Sequence, residues 1–432
     1  METDVRRREY SSAADGEEGE TDGIAGTEDG GIDEGGSFLD PNEDDVFWDW
    51  ELPVLPSSLA HLALSRCGIS NVAILPRCLE TLSVGPRYTR SLGALPAALR
   101  KLCIGGHFEA PLGRLPAGLT HLTCFKSVQG CDFAAPLGLL PATLQVLDLA
   151  DCHMFNRPLG ALPCGLRVLL LGSEFNQPLG VLPASLEVLE FLDWSEFNRP
   201  LGRLPDALRV LTTGKYFTEA LEQLPAGLRF LEVGPSYNHP LAPLPEGLTN
   251  LRLCIGGHFD TTIGVLPPAL THLTFFKTED YCHFEQPLGA LPAGLRVLDI
   301  ASSMYFDSPL GELPDSLKVL RVGQCFRQAL GALPEGLEVL VFGYMTMFEQ
   351  PLGRLPNSLR VLEFHDHARF NHPLGTLPQS LRVLRLEGWF DQELSRLPDG
   401  LRELTLYRPL LQKLPRSVVT YTTNQEHPGW RA

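Results

Sequence analysis

Leucine returns along this chain in a fixed relation to proline. Counting from the proline of each Leu-Pro pair, leucine falls three and six residues later, and a large apolar residue falls eight later. For Pro183 these are Leu186, Leu189 and Phe191; for Pro356 they are Leu359, Leu362 and Phe364. The last three positions alternate with period two, which predicts one short parallel strand per unit, its leucines facing inward. An aromatic lies seven residues before the leucine of nearly every Leu-Pro pair, as in Phe175, Phe197, Tyr237 and Phe370. A further leucine follows four after that aromatic, as in Leu179 and Leu201. These predict a second inward row on the convex side, with Phe stacked upon Phe. Pro178 and Gly180 suit a tight, irregular return without a helix.

The Leu-Pro pairs also give a ruler. Eighteen run from Leu55-Pro56 to Leu414-Pro415, at spacings mostly of 20 or 22 residues, with two of 25 and a last one of 17. Self-similarity at this period with regular leucines is the signature of a leucine-rich-repeat solenoid. Each unit buries about five large side chains at roughly 1.5–3 kcal/mol apiece, too little to stand alone but enough when stacked on neighbours. The extra residues of longer units fall between strand end and aromatic, as LEFLDWSEF (189–197) shows against LRVGQCF (320–326). Variation therefore concentrates in one family of loops along one rim. A larger echo overlies the repeat: Leu115, Leu140, Leu162, Leu182 and Leu204 recur 151 residues later, and CIGGHF stands at 103–108 and again at 254–259. A block of about seven units has been duplicated.

The units FNRPLGALPCGLRVLLL (155–171), FNQPLGVLPASLEVLEF (175–191) and FNHPLGTLPQSLRVLRL (370–386) resemble FNIP repeats, a leucine-rich-repeat relative named for its Phe-Asn-Ile-Pro core. The resemblance covers roughly residues 52–415. It departs from the family name in placing Leu after Pro, and in losing Asn from units such as FEQPLG (284–289) and FRQALG (326–331). The LPxxLxxLxL half is similar to the short leucine-rich repeats of bacterial effectors. The resemblance implies a curved repeat scaffold for protein interaction and no catalytic residues. The expected fold is thus a repeat solenoid, a leucine-rich-repeat-like curved array with one parallel β-strand per 20–22-residue repeat and irregular convex returns. About seventeen strands would line a concave face roughly 80 Å along the arc.

Composition adds boundaries. Net charge is −17, but residues 1–51 hold 18 acidic against three basic side chains, leaving the body almost neutral. This gives no electrostatic footprint for nucleic acid or anionic membrane. Residues 1–45, acidic and Gly-rich, read as a disordered arm. Residues 46–415 read as the solenoid, with an N-terminal cap near 46–55, and 416–432 as a C-terminal cap or tail. METDVRRREYSSAADGEEGE has no apolar core of a secretory signal, and no apolar run reaches transmembrane length. The ten cysteines show no CxxC pair or regular disulfide spacing, so free thiols in a cytoplasmic or nucleocytoplasmic compartment are expected.

Candidate chemistry is thin. His365-Asp366-His367 places two histidines on one side of a strand end but offers no third or fourth ligand, and reads as a solvated strand end. Cys282-His283 and Cys152-His153 pair a nucleophile with a base, yet adjacent residues rarely orient toward each other. Cys124, at a core strand position, reads as a small buried hydrophobe. No phosphate-loop spacing occurs among the glycines. No catalytic residue, metal ligand or cofactor is assigned.

The rows across repeats carry more. Seven after each proline, the concave position varies in charge and size: Asp148, Glu190, Glu232, Arg252, Asp299, Arg321, Glu363 and Arg385 are its charged members. Such a mixed row fits a recognition surface, or drift on a solvated face. Five after the proline, valine dominates, through β-propensity or as an apolar binding stripe. Four after it, nine basic residues recur: Arg100, Arg167, Arg209, Arg229, Arg296, Lys318, Arg360, Arg382 and Arg402. They would form a positive ridge along one groove edge, against which the acidic arm could lie. The expected function is a monomeric, non-catalytic protein-interaction scaffold with a partner of unknown identity. The alternative is a substrate-recognition adaptor for a ubiquitin ligase or kinase complex.

Overall fold

The computed structural model describes residues 50–51, 54–64, 69–71, 75–85, 91–105, 108, 110–125, 131, 133–192, 194–253, 263–276, 284–394, 396–407 and 415–423. The acidic arm, the second CIGGHF copy and Cys282-His283 lie outside them. Eighteen short strands form one sheet, each paired in parallel with its neighbours in sequence, from His61–Leu64 to Thr420–Thr423. The pairing is in register: Val188, Leu189, Glu190 and Phe191 face Val168, Leu169, Leu170 and Leu171. A separate two-stranded parallel sheet joins Trp50–Glu51 to Ile69–Asn71.

Each rung is set by its proline. The Leu186 N–H donates to the Pro183 carbonyl at 3.0 Å, closing a turn that aims the chain into the sheet. The Arg167 carbonyl then accepts from both Glu187 and Val188 of the next unit, at 2.8 and 3.0 Å. This forked bond recurs from unit to unit and locks the register before the strand proper begins. The leucines three and six after proline are buried from Leu79 to Leu404, Leu186 and Leu189 completely.

The return runs without a helix among the described residues. Gly180 and Gly202, at φ 71° and 69°, make the left-handed step after Pro-Leu that a residue with a Cβ adopts only under strain. Phe175, Phe197 and Tyr237 are buried, and the rings stack: Phe155, Phe175, Phe197, Phe217 and Tyr237 follow one another at 6.1–6.3 Å between centroids. A second column runs from Phe284 through Phe306, Phe326, Phe348 and Phe370 to Phe390. Curvature is visible in one pair of units. Phe342 and Phe364, at the strand ends, stack at 4.2 Å, whereas Phe348 and Phe370 on the return side lie 6.2 Å apart. The sheet is therefore the concave side.

The FN asparagine builds a ladder of its own. The Asn156 carboxamide oxygen accepts from Asn176 N–H at 3.0 Å, Asn176 from Asn198 at 3.1 Å, and Asn198 from Thr218 at 2.9 Å. Asp307 serves Arg327 in the same way. The position asks for a short side chain with an acceptor oxygen, so Asp replaces Asn there.

The strand count exceeds the expected seventeen by one. The polar segment read as the start of a C-terminal cap supplies a rung at Thr420–Thr423, with Tyr421 at the leucine position. Tyr421 is 38% exposed where inner leucines are sealed.

Candidate functional site

Two surfaces are formed by residues that the periodic pattern leaves free: the concave strand face and the rim where each strand gives way to its return. In the concave row, register turns the mixed charges into cross-strand pairs. Glu232 stands opposite Arg252 and Asp299 opposite Arg321, with ion pairs of 2.7 and 2.9 Å. Glu363 faces Arg385, and His365 lies 3.5 Å from Glu363 and 3.4 Å from Arg385. Opposite charges directly across strands stabilise a sheet, so part of this row serves the scaffold. Asp148 lies next to Leu170 and Thr123, and its carboxylate takes the Ala150 N–H. Glu190 sits between Leu170 and the rung of Thr212, half-buried. The valines beside this row, such as Val168, Val319 and Val361, are half-buried and continuous from strand to strand.

The nine basic residues line the strand entries, nearly all exposed, and the heads of seven are engaged. Arg100, Arg209, Arg229 and Lys318 each reach the next unit and donate to a glycine carbonyl two after its proline: Gly118, Gly227, Gly247 and Gly336, at 2.8–3.0 Å. A Cβ on Gly247 would meet the Arg229 guanidinium, which would have to move aside. Where serine stands at that position it bonds backward instead, Ser185 to the Cys164 and Leu166 carbonyls and Ser358 to those of Glu335 and Leu337. Arg167 pairs with Glu187 at 2.6 Å, and Arg360 with Glu338 at 3.4 Å. Arg382 donates to the Gln379 carbonyl, while Arg296 and Arg402 are exposed in the same row.

The segments that follow the strands carry exposed aromatics: Trp194, Tyr216, Tyr305, Tyr344, Trp389 and Tyr407, from 41% to 70% exposed. Tyr344, Met345, Met347, His367, Arg369 and Trp389 surround an open depression of about 250 Å³. Met345 and His367 hold φ of 56° and 60° there, a conformation that turns consecutive rim loops outward. A second depression of about 240 Å³ adjoins it, lined by Arg327, Met347, Glu349, Gln350 and Arg369. On the concave side of this rim, burial and the Asp366 carboxylate push Glu387 up to about 7. Burial works against Glu363 too, but its His365 hydrogen bond and Arg385 hold it below the usual carboxylate range.

The local motifs separate. His365 turns to Glu363 and Arg385, while His367 lies edge-on to Tyr344 at 5.8 Å, so the two form no joint site. Cys152 is buried, and the neighbouring His153 ring bonds Ser173 at 3.2 Å. Sequence reasoning missed what Cys124 and Cys152 do have in common: with Cys131 they meet, their sulfurs all within 4.8 Å of one another.

A family model for the FNIP repeat matches residues 155–193. Among solved structures, the chain is similar to CroV588, described as a novel circular LRR protein. Identity is 28% and the TM-score 0.59, over 86% of this chain and 63% of that one. The chain carries an FNIP repeat at 155–193 and folds as a leucine-rich-repeat-like solenoid. The FNIP solenoid thus spans about 63% of the length of CroV588. It is also similar to YopM from Yersinia enterocolitica WA-314 (20% identity, TM-score 0.47, covering 85% of this chain and 92% of that one). YopM from Yersinia pestis, a leucine-rich effector protein, matches at 22% identity and TM-score 0.44, over 84% and 88%. No curated protein sequence matches it. No helix among the described residues is long and apolar enough to cross a membrane.

Proposed function

We propose that this FNIP solenoid is a non-catalytic protein-interaction scaffold that reads its partner along the concave row and the strand-exit rim. The observation that carries this reading is the aromatic rim. Trp389, 70% exposed, and Tyr344, 59% exposed, stand beside Met345 and Arg369 on successive units. Trp, Tyr, Met and Arg are the residues enriched where proteins bury surface against one another. The depressions between them, about 240 and 250 Å³ and open to solvent, are below the 300–1,000 Å³ range typical of enclosing small-molecule sites. They suit side chains of a macromolecular partner. Repeat proteins offer such extended surfaces because each added unit lengthens the same face. The described cysteines are free thiols, which supports a reducing, cytoplasmic setting.

The test compares partners retained by the intact chain with those retained by Tyr344→Ala/Trp389→Ala. A convex-side control, Val181→Ala, removes an apolar residue that is more exposed still. Loss of at least ten-fold in affinity for a partner in the rim variant alone supports the reading. Equal binding by all three proteins sinks it.

A further inference from the structure

Three of the ten cysteines come together although 28 residues separate the first from the last. Cys124 ends the strand His121–Phe125, at the inward position where neighbouring rungs hold Ile104 and Leu149. Cys131 lies two residues before Phe133 in the return of the same unit, and Cys152 three before Phe155 in the next. Because the return folds back under the strand end, the three thiols converge between two units. All are buried, Cys131 and Cys152 completely, and their sulfurs are 3.4 Å apart.

We propose that Cys124, Cys131 and Cys152 form a three-thiolate site for one thiophilic d10 metal ion, Zn(II) or Cu(I). Metal–sulfur bonds of about 2.3 Å put sulfurs about 3.8–4.0 Å apart around a tetrahedral or trigonal centre. Three sulfurs already within 4.8 Å of one another need shifts of under about 1 Å to bracket an ion. Thiolate ligands select Zn(II) and Cu(I) over the harder cations. Binding exchanges up to three thiol protons for the ion, with no change of oxidation state.

The alternative is packing alone, with cysteine as a small apolar filler. The duplicated block supplies an internal comparison. At an offset of 151 residues, Phe275 occupies the place of Cys124, and Ser303 that of Cys152. Phe275 is buried, and Ser303 donates to the Phe284 carbonyl at 2.9 Å. The fold at this locus is satisfied by phenylalanine and serine, so packing does not call for thiols at both. The trio also sits in one of the two 25-residue units, where the return has most chain to fix. A metal bridging that return to the strand end and the next unit acts as a staple on the longest loop.

The experiment uses the full chain, reduced and stripped of metal, with Cd(II) as an ultraviolet probe of thiolate ligation. One equivalent of Cd(II) should raise a charge-transfer band of three-thiolate intensity. Cys131→Ser and Cys152→Ser should lose it or weaken binding at least ten-fold, while Cys164→Ser and Cys325→Ser keep it. Circular dichroism of Cys152→Ser should stay that of the wild type, given Ser303 at the equivalent place. Competition by Zn(II) and by Cu(I) then tells which ion is preferred. A band untouched by Cys131→Ser, no band at all, or a Cys131–Cys152 disulfide forming under mild oxidation without metal uptake would each overturn the proposal.

Discussion

At the scale of single residues, polar side chains in this protein mostly serve the backbone of the adjacent unit. Asn198 is the plainest case, accepting from both the Thr218 N–H and the Thr218 hydroxyl at 2.9 Å. Asn198→Ala leaves that N–H to water on the convex surface and should cost about 1 kcal/mol in urea unfolding. Asn198→Asp should be close to neutral, as Asp307 already does the same task. Glu387 offers a pH-dependent counterpart. Its folded pKa, raised to about 7, lies above the ordinary carboxylate value. The folded state therefore binds the proton more tightly, and the stability this contributes is present below about pH 4.3 and lost as pH rises through 7. Glu387→Gln removes the charge that burial and Asp366 oppose. It should stabilise the protein at pH 8, on the order of 1 kcal/mol, and make little difference at pH 5. A melting series across that range decides it; an equal effect at both pH values would contradict the assignment.

At the scale of the strand and its turn, two devices close the gap between units. One is a serine reaching back; the other is a basic residue reaching forward over a glycine. Gly247→Ala should displace the Arg229 guanidinium from the Gly247 carbonyl, because the new Cβ and the guanidinium cannot share the space. The expected cost is about 1 kcal/mol. In Arg229→Ala/Gly247→Ala the second substitution should cost little more, giving a non-additive cycle. Additive costs would show that the glycine is held by something other than the arginine. The strand positions, the inward leucines and the phenylalanine stack were legible in the sequence because each recurs at a fixed count from proline. The partners of Arg229 or Glu232 were not, since a repeat count gives position within a unit and not contact between units. Once strands pair in register, residues at equal counts become neighbours, and charges that looked like a recognition pattern resolve into Glu232–Arg252 and Asp299–Arg321. The cysteine trio was hidden for a related reason. It joins a strand end to returns of its own and the following unit, a diagonal that no single count from proline reveals. Ser303 at an equivalent buried place was the one signal available.

At the scale of the whole solenoid, stability is distributed along one dimension. Among the described residues each unit pairs with the unit before and after it, through strand, asparagine and phenylalanine columns alike. Phe197 belongs to two such contacts, stacking on Phe175 and Phe217, and also receives the strand-end ring of Phe191 at 4.2 Å. Phe197→Ala should therefore cost about 3–5 kcal/mol locally, the range for removing a fully buried phenylalanine. In a compact core that loss would weaken every element together. In an array of nearest-neighbour couplings it should instead divide the molecule. Hydrogen exchange should show protection falling in the units from Phe155 to Tyr237 while the column from Phe306 to Phe390 keeps that of the wild type. The melting curve should broaden or split into two steps. Uniform loss of protection across both columns would mean that the coupling between units exceeds the stability of the units themselves. The rim at Tyr344 and Trp389 would then be coupled to distant core changes as well, and partner binding there should fall in Phe197→Ala in parallel with stability.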